Sequence, residues 1–101
     1  MIKIFVAIAL LGMSVMAKDH VIEQKDKEFK PHTIKVKVGD TITFKNHDGF
    51  AHNAFSDDEA NEFDIGMQKP NQDITITMSA KSTVEVECAI HPNMVLTIEV
   101  E

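Results

Sequence analysis

A thiolate, an imidazole and a thioether lie three residues apart near the end of the chain. The segment Cys88-Ala89-Ile90-His91-Pro92-Asn93-Met94 places them between two predicted strands, where a tight loop can bring the three side chains to one point. A second imidazole, His52, follows an earlier predicted strand. Two histidines, one cysteine and a weakly bound methionine form the ligand set of a type 1 (blue) copper site. We therefore predict that His52, Cys88, His91 and Met94 hold one copper ion.

Taken singly, these residue types have simpler explanations. A buried cysteine or methionine is usually a core residue, and a loop histidine is usually exposed. Cys88 is nonetheless the only cysteine in the chain, whereas small exported domains usually carry cysteines in disulfide-bonded pairs. A lone thiol in an oxidising compartment needs burial, an intermolecular partner or a metal, and the spacing of the other three ligand types favours the metal.

Other residues that could bind metals have weaker patterns. The acidic run 57–59 lacks the alternating spacing of a calcium loop, so we predict a solvated loop there. Met67 is predicted to pack or to be exposed, and the remaining histidines are predicted to lie at the surface: His20, His32 and His47.

The first residues resemble a secretory signal peptide. A lysine at position 3 precedes the apolar run Ile4 to Met16, and Val15-Met16-Ala17 has the small residues of a cleavage site. The run is shorter than the roughly 20 residues that cross a bilayer. We predict a signal peptide over 1–17, cleaved near Ala17, and one exported domain over 18–101; the simpler alternative is a buried N-terminal strand or helix.

After residue 17, apolar and polar residues alternate with period two, which is typical of half-buried strands. The predicted strands are 20–24, 33–38, 41–46, 73–78, 82–88 and 95–100. Residues 33–46 are interpreted as a hairpin or a tight strand–turn–strand around Gly39-Asp40. Ten inward residues are predicted to form the core: Ile34, Val36, Ile42, Phe44, Ile74, Ile76, Val84, Val86, Leu96 and Ile98.

The middle of the chain, 56–72, is acidic and rich in turn-forming residues. Ser56 could cap a short helical turn through Glu62, so a short helical turn or a loop is expected there. Short strands with little helix predict an all-β sandwich or barrel.

The net charge is −6, and removing Lys3 with the signal peptide would change it to −7. The chain contains no arginine, which argues against nucleic-acid binding, because phosphate contacts need clustered lysine and arginine. The acidic surface is compatible with a basic protein partner or simply with solubility.

Residues 29–53 (FKPHTIKVKVGDTITFKNHDGFAHN) together with 88–94 (CAIHPNM) resemble the cupredoxins. The resemblance is closest to the amicyanin and plastocyanin branch and to plastocyanin-like proteins associated with methylamine utilisation. It implies a Greek-key β-sandwich with copper at one end, a buried His52 and an exposed His91 that passes electrons. It further implies that Asn53 ties the two ligand-bearing loops together, and that Phe50, Ala51, Ile90 and Pro92 surround His91.

One departure from the resemblance affects the ligand loop. Amicyanin and plastocyanin typically carry proline directly before the second histidine, where this chain has Ile90. Proline has no backbone N–H, so Ile90 adds a donor that could reach the thiolate of Cys88 and raise the reduction potential.

Together these patterns predict a periplasmic electron carrier that cycles between Cu(II) and Cu(I) and catalyses no reaction alone. The expected partners are a dehydrogenase or other donor and a c-type cytochrome or oxidase, and the chain is expected to be a monomer without a membrane span after cleavage. The alternatives are a copper storage or delivery protein with the same ligands, and a metal-free interaction module.

Overall fold

The computed structural model describes residues 16–101, so nearly all of the predicted signal peptide, 1–17, lies outside the described residues. The nine strands of the described part are β1 Asp19–Lys25, β2 Glu28–Lys30, β3 Thr33–Val36, β4 Thr41–Asn46, β5 Phe55–Ser56, β6 Phe63–Asp64, β7 Asp73–Thr77, β8 Ser82–Glu87 and β9 Val95–Val100. In this part of the chain no helix has the length and hydropathy needed to cross a membrane.

The strands form two sheets. One has the order β2-β1-β4-β7 and the other β3-β9-β8-β5-β6. β1 runs parallel to β4 and β3 runs parallel to β9, while the remaining pairs are antiparallel. The two sheets pack face to face, which confirms the predicted all-β sandwich.

The period-two patterns bury one face of each central strand. In β4 the buried side chains are Ile42, Phe44 and Asn46, and in β9 they are Leu96, Ile98 and Val100. Phe44 occupies the middle of the core, where its ring meets those of Phe29 and Phe63 at centroid distances of 6.1 and 6.3 Å.

Most of the predicted core is observed. Ile34, Ile74 and Ile76 are only partly buried, because β3 and β7 are edge strands. Seven further residues complete the buried apolar set: Ile22, Phe29, Ala54, Met78, Cys88, Met94 and Val100.

Residues 33–46 do not form a hairpin. β3 and β4 belong to different sheets, so the chain crosses from one sheet to the other at Gly39-Asp40. Gly39 has φ +92°, a conformation that favours glycine. The hairpin interpretation was therefore wrong and the strand–turn–strand alternative is the one observed, because alternation shows which face is buried and not which strand is the neighbour.

Between β5 and β6 the acidic middle segment forms a loop, and no helical turn is present between Ser56 and Glu62. Ser56 Oγ accepts a hydrogen bond from the N–H of Asp58 at 3.1 Å, which makes a local turn in place of a helix cap. The buried Asn61 then fixes the loop to the β7–β8 connection, accepting from the N–H groups of Ser79 and Ala80 and donating to Ala80 O and Ser82 Oγ.

Asp40 organises the crossover. Its carboxylate accepts hydrogen bonds from the backbone N–H groups of Lys18 at 3.0 Å and Lys37 at 2.9 Å, and its Oδ2 lies 2.9 Å from His20 Nε2. These contacts favour the ionised carboxylate and hold the pKa of Asp40 well below its usual range. The largest effect comes from the backbone N–H of Lys18, followed by that of Lys37 and by the His20 side chain.

This network predicts an acid-sensitive component of stability. A carboxyl whose pKa is lowered by folding stabilises the native state above its unfolded pKa, about 3.8, and this stabilisation is lost as pH falls towards the folded pKa. We expect Asp40→Asn to lower the urea midpoint at pH 7 and to flatten its decline below pH 4, measured on copper-free protein. The exposed control Asp57→Asn should keep the wild-type decline; an unchanged slope in Asp40→Asn would exclude this role.

Candidate metal centre

Two loops supply the predicted ligands at one end of the sandwich. His52 lies in the loop after β4, where its N–H and C=O exchange hydrogen bonds with Gln68 at 3.0 and 2.8 Å. Cys88 directly follows β8, and Met94 directly precedes β9. Because β8 and β9 are antiparallel neighbours, the short loop between them must turn back on itself, which brings its side chains towards the loop of His52.

The structure brings His52, Cys88 and His91 together. One ligand atom of each residue lies within 4.8 Å of those of the other two. The Nδ1 atoms of His52 and His91 are 3.2 Å apart, and Cys88 Sγ is 3.9 Å from His91 Nδ1. His52 and Cys88 are buried, whereas His91 is partly exposed.

These spacings fit one metal ion. Imidazole nitrogens bind zinc-sized ions at about 2.0–2.1 Å and thiolates at about 2.3 Å, so two nitrogens of one site lie within about 4 Å of each other, and a nitrogen and a sulfur within about 4.4 Å. Both measured distances are below these limits. Two imidazoles and a thiolate are also a donor set suited to copper.

Met94, the fourth predicted ligand, is fully buried at the end of the same loop. Its backbone N–H donates to the carbonyl oxygen of His91 at 2.9 Å, which closes the turn through Pro92 and Asn93. The backbone of Met94 is thus fixed relative to His91.

Asn53 joins the two loops through both its backbone and its side chain. Its N–H points at Cys88 Sγ, with a separation of 3.3 Å, and its side-chain Oδ1 accepts from the N–H of Ala89 at 3.2 Å. Its Nδ2 donates to Asp64 Oδ1 at 2.8 Å and to Gly66 O at 3.0 Å. Asn53 therefore fixes the loop that contains Cys88 relative to the loop that contains His52.

The structure does not support the proposed role of Ile90. Among the described residues, the backbone donor to Cys88 Sγ is the N–H of Asn53, and Ile90 N makes no hydrogen bond to the sulfur. The donor comes from the loop of His52, and Ile90, next to His91 in the sequence, is 45% exposed.

The partly exposed His91 lies against an aromatic side chain. The ring of Phe50 meets those of His52 and His91 edge-on, at centroid distances of 5.2 and 5.4 Å, and 40% of Phe50 is exposed. Burial lowers the pKa of His91, and interactions with His52 and Lys27 lower it further, against the opposing effect of the Asp48 carboxylate. A lowered pKa favours the neutral imidazole that metal binding requires.

Sequence reasoning missed two residues that support His52. Asp48 Oδ2 lies 2.7 Å from His52 Nε2, and the pKa of Asp48 is lowered because hydrogen bonds from His52, Lys27 and Asp26 outweigh the opposing effect of burial. Gln68, fully buried, donates from Nε2 to Phe44 O and Gln72 O. The only sequence signal for Asp48 was its position four residues before a loop histidine. Nothing in the sequence indicated a role for Gln68.

Among residues 16–101, the other three histidines are not part of the cluster formed by His52, Cys88 and His91. Met67 is 71% exposed, as predicted, and His32 and His47 are exposed. His20 is the exception to the predicted surface histidines, because its contact with Asp40 leaves only 18% of its side chain exposed.

Comparison with known proteins gives a consistent result. Residues 16–101 match the family model of copper-binding proteins, plastocyanin/azurin family. The chloroplastic plastocyanin of Hordeum vulgare is 31% identical over 93 residues, covering 81% of this chain and 60% of that relative, so the chain spans less than two thirds of its length.

Solved structures show the same fold. A reduced tryptophan-to-tyrosine mutant of amicyanin matches with a TM-score of 0.75 and 26% identity, covering 88% of each chain. A copper-containing nitrite reductase from Thermus scotoductus has a TM-score of 0.75 at 24% identity over 80% of this chain but only 22% of the reductase, a likeness of fold alone.

Proposed function

The chain belongs to the plastocyanin/azurin family of copper-binding proteins, and on that premise we propose that it is a periplasmic electron carrier whose copper ion is held by His52, Cys88, His91 and Met94. When bound, copper would supply one-electron chemistry between Cu(II) and Cu(I). The observation that carries this proposal is the convergence of ligand atoms of His52, Cys88 and His91 within 4.8 Å of one another.

The protein supplies a fixed environment for that chemistry. Each ligand loop is anchored to a strand end, and Asn53 hydrogen-bonds them to each other, so little rearrangement of the chain accompanies a change in charge at the site. The exposed part of His91, rimmed by Phe50 and Ile90, offers a short path between the buried site and a docked protein.

The same features argue against catalysis and against copper delivery. Four protein ligands would leave no position for a substrate, so we propose that the chain is not an enzyme. A storage or delivery protein must release its ion to a partner, whereas two of the three converging ligands, His52 and Cys88, are buried here. Burial therefore favours the carrier over the delivery alternative.

Part of the negative charge of this protein lies together on one face of the sandwich. Two neighbouring clefts on the β8-β5-β6 side of the sandwich are lined by carboxylates, which we call the acidic face: Asp57, Asp58, Glu62, Asp64, Glu85 and Glu87. Within residues 16–101 the ion pairs to lysine involve other carboxylates, so those of the acidic face are not neutralised by lysine. This distribution supports a basic redox partner, such as a c-type cytochrome, docking on a monomer.

Neutralising part of the acidic face should slow electron exchange with a basic c-type cytochrome. We expect Glu62→Gln combined with Glu85→Gln to lower the second-order rate about three- to tenfold at low ionic strength, because charge complementarity accelerates encounter. Stopped-flow absorbance measures this rate, and the difference should vanish at high salt, where the charges are screened.

The matched control is Glu23→Gln combined with Glu28→Gln, which removes the same charge from the opposite sheet. Equal rates for the two double variants would contradict a docking role for the acidic face. A copper-loaded protein that exchanges no electrons with any donor or acceptor would instead favour storage.

We also propose export, with cleavage after Ala17. The new amino group at Lys18 would then lie where the Lys18 nitrogen now lies, 3.0 Å from the carboxylate of Asp40. The charged terminus would strengthen this contact, since hydrogen bonds between ionised groups are stronger than neutral ones. The intact mass of protein recovered from the periplasm tests the cleavage site: a chain beginning at Lys18 supports it, and a retained N-terminal segment contradicts it.

A further inference from the structure

The deeply buried ligand His52 is in contact with a charged side chain from outside the ligand set. Its Nε2 lies 2.7 Å from Asp48 Oδ2, and the imidazole is fully buried while the Asp48 side chain is only 9% exposed. A carboxylate can only accept at this position, so Nε2 carries the proton. Nδ1 is then left with its lone pair towards Cys88 and His91, as metal binding requires.

The position of Asp48 is set by a turn in a different part of the chain. The β1–β2 turn consists of Asp26 and Lys27, with φ of 54° and 58°, and both residues point their N–H groups at the Asp48 carboxylate. Oδ1 accepts from Asp26 at 2.8 Å, and Oδ2 accepts from Lys27 at 3.1 Å. One carboxylate therefore joins a tight hairpin turn to a ligand histidine.

A second contact connects the same turn to the site. The ammonium of Lys27 lies 5.6 Å from the centroid of the Phe50 ring, within the range of a cation–π interaction. Phe50 in turn contacts both imidazoles. The β1–β2 turn thus contacts His52 through Asp48, and it contacts both histidines through Phe50. Because two separate side chains join the turn to the site, the turn has a defined position relative to His52.

We propose that Asp48 is a positioning residue of the metal centre, held by the β1–β2 turn, which fixes the tautomer of His52 and strengthens it as a donor towards the higher oxidation state. The inference rests on the proposed metal site. Carboxylate partners of ligand histidines orient the ring and raise its basicity, and losing them typically costs about 10–100-fold in metal affinity.

Two substitutions separate charge from orientation. Asp48→Asn keeps an oxygen that can accept from His52 and Lys27, and it removes the negative charge together with the acceptor for the N–H of Asp26. We expect it to raise the ratio of reduced to oxidised protein at a fixed ambient potential about tenfold, which is 59 mV for one electron. Asp48→Ala removes both, and we expect it to weaken copper affinity by at least tenfold as well.

The matched control is Asp26→Asn, which removes the same charge from the turn itself. Asp26 is 71% exposed, and asparagine tolerates its positive φ, so the turn should be retained. For Asp26→Asn we expect the ratio of reduced to oxidised protein to change less than twofold. Equal shifts in Asp26→Asn and Asp48→Asn, or no shift in Asp48→Asn, would overturn the proposal.

A measurement without copper keeps the inference distinct from the proposed function. Nitrogen-15 NMR of the metal-free chain should show His52 as a single tautomer protonated at Nε2, and a mixture of tautomers in Asp48→Ala. Wild-type protein with the proton on Nδ1 would overturn the positioning role whether or not the chain binds copper. A single Nε2 tautomer in a chain that fails to bind copper would refute the proposed function alone.

Discussion

Cys88→Ser is expected to abolish the intense visible absorption of the copper-loaded protein. That absorption arises from charge transfer between a thiolate and Cu(II), and a serine hydroxyl at the same position is neither ionised near neutral pH nor a soft donor. Cys88 is the only cysteine in the sequence, so no second thiolate can replace it. The spectrum after addition of one equivalent of Cu(II) measures the effect.

The fold should survive this substitution, because serine is close to cysteine in size and can still accept from the N–H of Asn53. Far-ultraviolet circular dichroism checks the two sheets. The matched control is Ala89→Ser, which introduces the same hydroxyl at the exposed neighbouring position and should leave the absorption intact. Persistence of the band in Cys88→Ser would refute the assignment of the thiolate.

Asn53→Ala is expected to lower the free energy of unfolding by about 2–4 kcal/mol. The side chain makes three hydrogen bonds, to Ala89, Asp64 and Gly66, and each contributes roughly 0.5–1.5 kcal/mol, with a further cost for any buried group left without a partner. Urea unfolding of the copper-free protein measures the loss. Copper affinity should fall as well, since the two ligand loops lose the side chain that joins them.

Asn93→Ala is the control for that substitution, because Asn93 belongs to the ligand loop but is exposed. We expect its free energy of unfolding to stay within about 0.5 kcal/mol of wild type, as is usual for surface changes. A loss below about 1 kcal/mol in Asn53→Ala, or an equal loss in both variants, would contradict the joining role.

The sequence predicted the all-β fold because alternation is a local property. Strands such as 95–100 and 41–46 were located to the residue, since each carries three inward side chains. Strand neighbours depend on contacts between distant segments, which is why the interpretation of residues 33–46 as a hairpin was wrong. The short strands β2, β5 and β6 were missed because two or three residues are too few to show alternation.

The site was predictable for a different reason. A thiolate and an imidazole at this spacing, with a thioether after them, have few alternative explanations, and the structure brings Cys88 and His91 together with His52 as predicted. The joining of the two loops by the Asn53 side chain was expected from the resemblance, but the other supporting contacts were not predictable. Asp48 matters through hydrogen bonds to the β1–β2 turn, and the donor to the sulfur is a backbone N–H at Asn53, which has no sequence signature. The hydrogen bond expected from Ile90 N to the sulfur is not observed among the described residues, where the donor comes from the other loop.

The central claim is that one copper ion at His52, Cys88, His91 and Met94 carries one electron at a time. A redox titration of the copper-loaded protein, followed by its visible absorption, tests this most directly. We predict an intense band that disappears on addition of one electron per protein and returns in full on reoxidation. A colourless Cu(II)-loaded protein, or a band that does not return, would contradict the account.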